Sequence, residues 1–143
     1  MSSRQGRPYT SSKALQLRTS MQSIQTADLL DQLAQFTGTE RYYRIYPRIV
    51  LTDGTQYLAE VAGCYWLMDV YASHLASVDP ELDSFTCLKL IKSDNGADIV
   101  IEDGNTHQLA KQHVEYTDFP LDTFVFYAVW AGEFWVLMLR SEY

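Results

Sequence analysis

The run from Phe124 to Leu139 is nearly free of polar side chains, and Gly132 and Glu133 interrupt it halfway. A helix crossing a bilayer needs about 18 or more apolar residues without a charge, so this 16-residue run does not span a membrane. It divides instead into Thr123 to Trp130 and Phe134 to Leu139 around Ala131-Gly132-Glu133, a hairpin whose strands are apolar on both faces. Such strands belong in the middle of a sheet, with a helix layer over at least one side. The chain has the means to supply both. At 143 residues a fold buries roughly 68–70% of its unfolded surface, so the core needs neither disulfides nor a structural metal. With 47% hydrophobic and 20% charged residues, global disorder is excluded.

Upstream, the pattern predicts the rest of an α+β domain. Thr26 reads as an N-cap with Asp28 in the first turn and Leu29, Leu30, Leu33 and Phe36 at helical spacing, a short helix stopped by Gly38. Glu40 to Leu51 is aromatic and β-branched with Pro47 in its middle, which predicts an edge strand, a bent strand or two short pieces. After a turn at Asp53-Gly54, positions Leu58, Val61, Ala62, Tyr65, Met68, Ala72 and Leu75 follow one helical stripe over five turns. Gly63 inside that long helix implies a closely packed backbone or a tolerated kink. Past Asp79-Pro80 the period becomes two: Phe85 to Ile91, a turn at Asn95-Gly96, Ala97 to Glu102, a turn at Asp103-Gly104, then a strand over about Thr106 to Thr117 ended by Phe119-Pro120. The expected fold is an antiparallel sheet of about five strands packed by one long and one short helix.

Charge separates the first 25 residues from the remainder. They hold Arg4, Arg7, Lys13 and Arg18 and no acid, whereas residues 26–143 carry seven Lys or Arg against 18 acids. Residues 1–25 therefore read as a flexible basic tail before a single domain over 26–143, and Met21 is a candidate for the natural start. Two cysteines, Cys64 and Cys87, are too few for a disulfide framework, and no secretory signal pattern opens the sequence, so a cytoplasmic location is expected.

Little of the recognised chemistry is present. His107 and His113 share one side of an unbroken strand near Glu115, but six residues along a strand span about 20 Å, too far for one ion. His74 lies near a helix C-terminus, where the dipole favours it. Cys64 and Cys87 read as small core residues. Nucleophile elbows, phosphate loops and dinucleotide fingerprints are missing, and the sequence calls for no cofactor, metal or catalytic residue.

Two compositions remain. Arg41, Tyr42, Tyr43, Arg44, Tyr46 and Arg48 interleave guanidiniums with phenols, a mixture suited to an acidic partner protein or to unpaired bases. The competing reading is an edge strand whose tyrosines pack inward and whose arginines pair with nearby acids. Asp79, Glu81, Asp83, Asp94, Asp98, Glu102 and Asp103 predict an acidic rim around the first hairpin, either solubilising or a mimic of nucleic acid.

The motifs Thr39-Glu40-Arg41-Tyr42-Tyr43, Leu51-Thr52-Asp53-Gly54 with Tyr57-Leu58-Ala59-Glu60, Gly63 to Trp66, Tyr116-Thr117-Asp118-Phe119-Pro120-Leu121 and Ser141-Glu142-Tyr143 together resemble a family of uncharacterised small bacterial proteins, often carried on plasmids, phages and other mobile elements. The resemblance covers about residues 26 to 143 and implies a bacterial cytoplasm and a link to mobile DNA, with no assigned site. The expected function is a non-enzymatic accessory or protein-binding module whose partner is another protein. Single-stranded nucleic-acid binding through the Arg/Tyr segment and basic tail is the alternative, and a small enzyme with a cleft between helix and sheet is a second. The many aromatic residues also allow a homodimer; no membrane partner is expected.

Overall fold

The computed structural model describes residues 26–143. The basic tail and Met21 lie outside them. Helix α1 covers residues 26–33. It is followed by β1 (Tyr43–Tyr46), β2 (Ile49–Leu51), α2 (Asp53–Val61), α3 (Tyr65–Leu75), β3 (Phe85–Ser93), β4 (Gly96–Asp103), β5 (Gln108–Val114), β6 (Thr123–Trp130), β7 (Trp135–Leu139) and a closing 3-10 turn, Arg140–Glu142. All seven strands form one sheet in the order β1-β2-β7-β6-β3-β4-β5. The doubly apolar hairpin β6–β7 does lie in its middle.

The sheet is larger than expected and is not wholly antiparallel. β2 runs parallel to β7, with Val50 opposite Val136, because the chain leaves β2 through two helices and a meander before it returns. Pro47 resolves the upstream segment into two pieces: it sits in the turn of a β1–β2 hairpin, and β1 is an edge strand. Thr26, expected as a non-helical cap, is itself helical, and its hydroxyl donates to the Pro120 carbonyl.

The long helix is two helices. Gly63 has φ of 61° and follows the C-cap Ala62, and the Cys64 N–H reaches back to the Ala59 carbonyl at 3.0 Å. That is the six-to-one bond of a Schellman ending, which requires a left-handed residue at this position. Nothing lies within 4 Å of where a Gly63 side chain would begin, so backbone conformation and not close packing selects glycine. At the other end of α2, Asp53 and Gly54 form its first turn and not a separate β-turn. Thr52 caps them in a reciprocal capping box with Thr55.

Helices α2 and α3 pack on one face of the sheet. Leu58, Leu67, Met68 and Leu75 are buried with Leu51, Leu88, Leu90, Ile99, Ile101, Phe126 and Leu137. Tyr71 is fully buried edge-on to Phe126, and its hydroxyl is 2.8 Å from that of Thr86, so the phenol enters the core with a partner. Register places Phe85, Cys87, Val125, Tyr127 and Val129 on the opposite face, where the Tyr143 ring packs against Phe85 and Tyr127.

The C-terminus locks these layers together. The Glu142 carboxylate accepts from the Thr52 hydroxyl at 2.6 Å, the Leu139 N–H at 2.9 Å and the Gly54 N–H at 3.1 Å, and an anion at a helix N-terminus is also favoured by the dipole. A β-carbon on Gly54 would lie 2.6 Å from both Glu142 Oε1 and Leu139 Cδ1. Gly54→Ala gains about 1 kcal/mol of helix propensity but displaces this carboxylate. A net loss of about 1–3 kcal/mol is expected in urea denaturation; an unchanged or higher midpoint would contradict the lock.

Candidate interaction site

The Arg/Tyr segment occupies the free edge of the sheet, and each of its members has a distinct environment. Tyr43 points toward α2. Its hydroxyl pKa is raised chiefly by its hydrogen bond to the Asp53 carboxylate. Tyr46 points toward α3, and its hydroxyl donates to Asp69 Oδ1 at 2.7 Å, which raises its pKa likewise. Two phenols thus anchor β1 to the two helices. Tyr42 is exposed, with its ring centroid 6.5 Å from that of Phe134.

Among the described residues no arginine forms an ion pair; the pairs are Lys89–Glu102, His107–Asp103 and His113–Asp98. Arg44 donates to the Pro47 carbonyl at 2.6 Å. Arg48 lies 4.7 Å above the Trp130 ring, and Trp130 packs edge-to-face on Trp135. Arg41, Arg44 and Arg48 are all exposed. The expectation that acids neutralise these arginines therefore fails, while inward packing of the tyrosines holds for Tyr43 alone; Tyr46 stays exposed although its hydroxyl is tied to Asp69.

Beside this edge lies a cleft of about 560 Å³ between the β1–β2 turn and the C-terminal half of α3. Ile49, Leu75, Val78 and Trp135 form its apolar bed, with Tyr46, Arg48 and Asp69 as polar groups. The sequence did not single out Asp69, Val78 or Trp135 for this role. Their spacing carries no local signal, since three separate segments meet only after the sheet forms.

The seven acids do not gather on one rim. Asp79, Glu81 and Asp83 precede β3, and Asp103 closes β4 at the same end of the sheet; Asp94 lies in the β3–β4 turn at the other end. Glu102 is held by Lys89 at 3.0 Å and Asp98 by His113 at 2.9 Å. The Asp103 pKa is lowered, first by the His107 backbone N–H. His107 and His113 both lie on the surface beside these acids and do not line the cleft, while His74 contacts Gln112 at 2.8 Å. Cys64 is fully buried and its thiol pKa is pushed up to about 12 by burial; burial also raises that of Cys87. A raised pKa leaves little thiolate for nucleophilic attack.

Asp53 couples the edge to the helix cap. Its pKa is lowered, first by the Glu40 N–H, with further help from the Tyr43 and Thr39 hydroxyls. A depressed folded-state value contributes stability that is present above the unfolded pKa of about 3.9 and is lost as pH falls through the folded value. The stability gap between wild type and Asp53→Asn is expected to stay constant from neutral pH to about pH 4.5 and to narrow below about pH 4. Urea titrations over that range check this, and a gap that widens in acid would contradict it.

The fold and edge define an α+β domain with a cationic sheet margin and an apolar cleft beside it. The chain belongs to a family of unknown function, DUF6876, whose profile matches residues 27–143, so the resemblance to an uncharacterised family holds. No curated protein and no solved structure matches the chain. Among the described residues, no helix is long and apolar enough to cross a membrane.

Proposed function

We propose that this protein is a protein-binding module that docks an acidic segment of its partner along β1. One observation carries the reading: among the described residues Arg41, Arg44 and Arg48, on and beside the open edge strand, form no ion pair, although residues 26–143 contain 18 acids. In a chain of formal charge −7, a local excess of guanidinium at an edge strand favours an incoming acid and orients its approach. An edge strand also offers backbone donors and acceptors to an extended chain. The two free thiols, Cys64 and Cys87, accord with a reducing cytoplasm, and a bacterial mobile-element setting would follow the family resemblance.

The nucleic-acid reading has weaker support at this site. The rings of Tyr42 and Tyr46 are exposed, but the phenols of Tyr43 and Tyr46 hold the Asp53 and Asp69 carboxylates close to this edge, where they oppose a phosphate backbone, and residues 26–143 as a whole are acidic. The catalytic reading draws little from the cleft, whose lining contains one carboxylate, Asp69, and neither His107 nor His113.

A photo-crosslinking residue in place of Arg44, compared with one in place of Lys111 on the opposite edge strand, tests the docking surface in host cells. The expected result is a crosslink at position 44 alone, mapped by mass spectrometry to an acidic segment of one protein and abolished by Arg41→Glu with Arg48→Glu. Equal crosslinking at both edges, or crosslinking that survives charge reversal, would overturn the reading. Salt-sensitive oligonucleotide binding lost in the same double variant would replace it with the nucleic-acid one.

A further inference from the structure

The cleft beside β1 has a chemistry of its own, separate from the outer edge of the sheet. Its bed is apolar, formed by Ile49, Ala72, Leu75, Val78, Pro80 and Trp135, and its volume of about 560 Å³ is that of a small-molecule site. Three of its polar groups are already engaged. The Tyr46 hydroxyl donates to Asp69 Oδ1, which spends the phenol proton and occupies one carboxylate oxygen, and the Ser73 hydroxyl donates to the Val70 carbonyl at 2.7 Å. Arg48 is different. Its guanidinium has no hydrogen-bond acceptor among the described residues, and stacking at 4.7 Å over Trp130 restrains its plane at the cleft wall.

We infer that this cleft binds a small organic carboxylate with an apolar chain or ring. The apolar body would lie on Ile49, Leu75, Val78 and Trp135, and the carboxylate would take the free N–H donors of Arg48. A guanidinium is suited to a planar, two-oxygen acceptor, and one already restrained by stacking loses less freedom on binding. A single negative charge is preferred over a phosphate-like dianion, because Asp69 lines the same cleft and the domain as a whole is acidic. This assignment does not depend on a protein docking along β1, and either can fail without the other.

The probes are octanoate, octylammonium and octanol, which share a chain length and differ in charge, titrated into the full chain by calorimetry and by intrinsic tryptophan fluorescence. Trp135 lines the cleft and Trp130 touches both Trp135 and Arg48, so occupation is expected to shift the emission. Octanoate is expected to saturate one site and to bind more tightly than the other two probes. Arg48→Gln is expected to weaken octanoate about tenfold or more while leaving octanol within about twofold. Ala76→Phe, at an exposed position on the cleft wall, is expected to block all three without lowering the urea midpoint. Absence of saturable octanoate binding, tighter binding of octylammonium, or octanoate binding unaffected by Arg48→Gln or by Ala76→Phe in a folded protein would each overturn the inference.

Discussion

The hydrogen-bonded cap at the start of α2 is the constraint on which the rest of the arrangement depends. Thr52 ends β2 and opens the helix, and its hydroxyl donates to Glu142 at 2.6 Å; the Thr55 hydroxyl donates to the Leu137 carbonyl at 2.7 Å. These bonds join β2 to β7, which is how the chain closes this parallel strand pair. From the outer side, the Thr39 hydroxyl accepts from the Asp53 N–H and the Asp53 carboxylate accepts from the Glu40 N–H. The segment leading into β1, the helix N-terminus and the chain end thus meet at one corner, with the Thr52 and Thr55 hydroxyls buried at its centre. The buried Thr52 or Thr55 hydroxyl left without these partners would cost roughly 1–3 kcal/mol, so each segment fixes the others.

That corner also sets the position of the interaction surface. With Thr52 fixed, β2 and the β1–β2 turn are fixed, and the cleft wall from Tyr46 to Ile49 takes its place relative to α3. The Schellman ending at Gly63 matters for the same reason. It redirects the chain so that α3 presents Asp69 to Tyr46 and Leu75 to the cleft. A continuous helix would have carried these residues along the α2 axis instead.

Local signals made the centre of the sheet legible from the sequence. The apolar hairpin β6–β7 and the alternating β3–β4 pair each report their pairing through nearby residues. Even there, Gly96 had a different cause from a turn: it lies within β4, where a β-carbon would fall 2.2 Å from the Val114 carbonyl of the adjoining segment. Long-range features were not legible. Glu142 caps a helix that begins 89 residues earlier in the chain, and no window of sequence contains both partners. The parallel β2–β7 pairing and the cleft share that property, since Trp135 and Ile49 become neighbours only through the completed sheet. The Arg/Tyr segment stood out by composition, but which of its members would be free and which committed depended on Asp53 and Asp69, whose positions come from the helices.

A double-mutant cycle between Thr52→Ala and Glu142→Ala, followed by urea denaturation, is the most direct measurement of the corner's role. If the carboxylate joins the chain end to the helix as described, the two substitutions are expected to couple by about 1.5–3 kcal/mol, the range of a hydrogen bond to a charged group. Losses that add within about 0.5 kcal/mol would show the two residues acting independently and contradict the account.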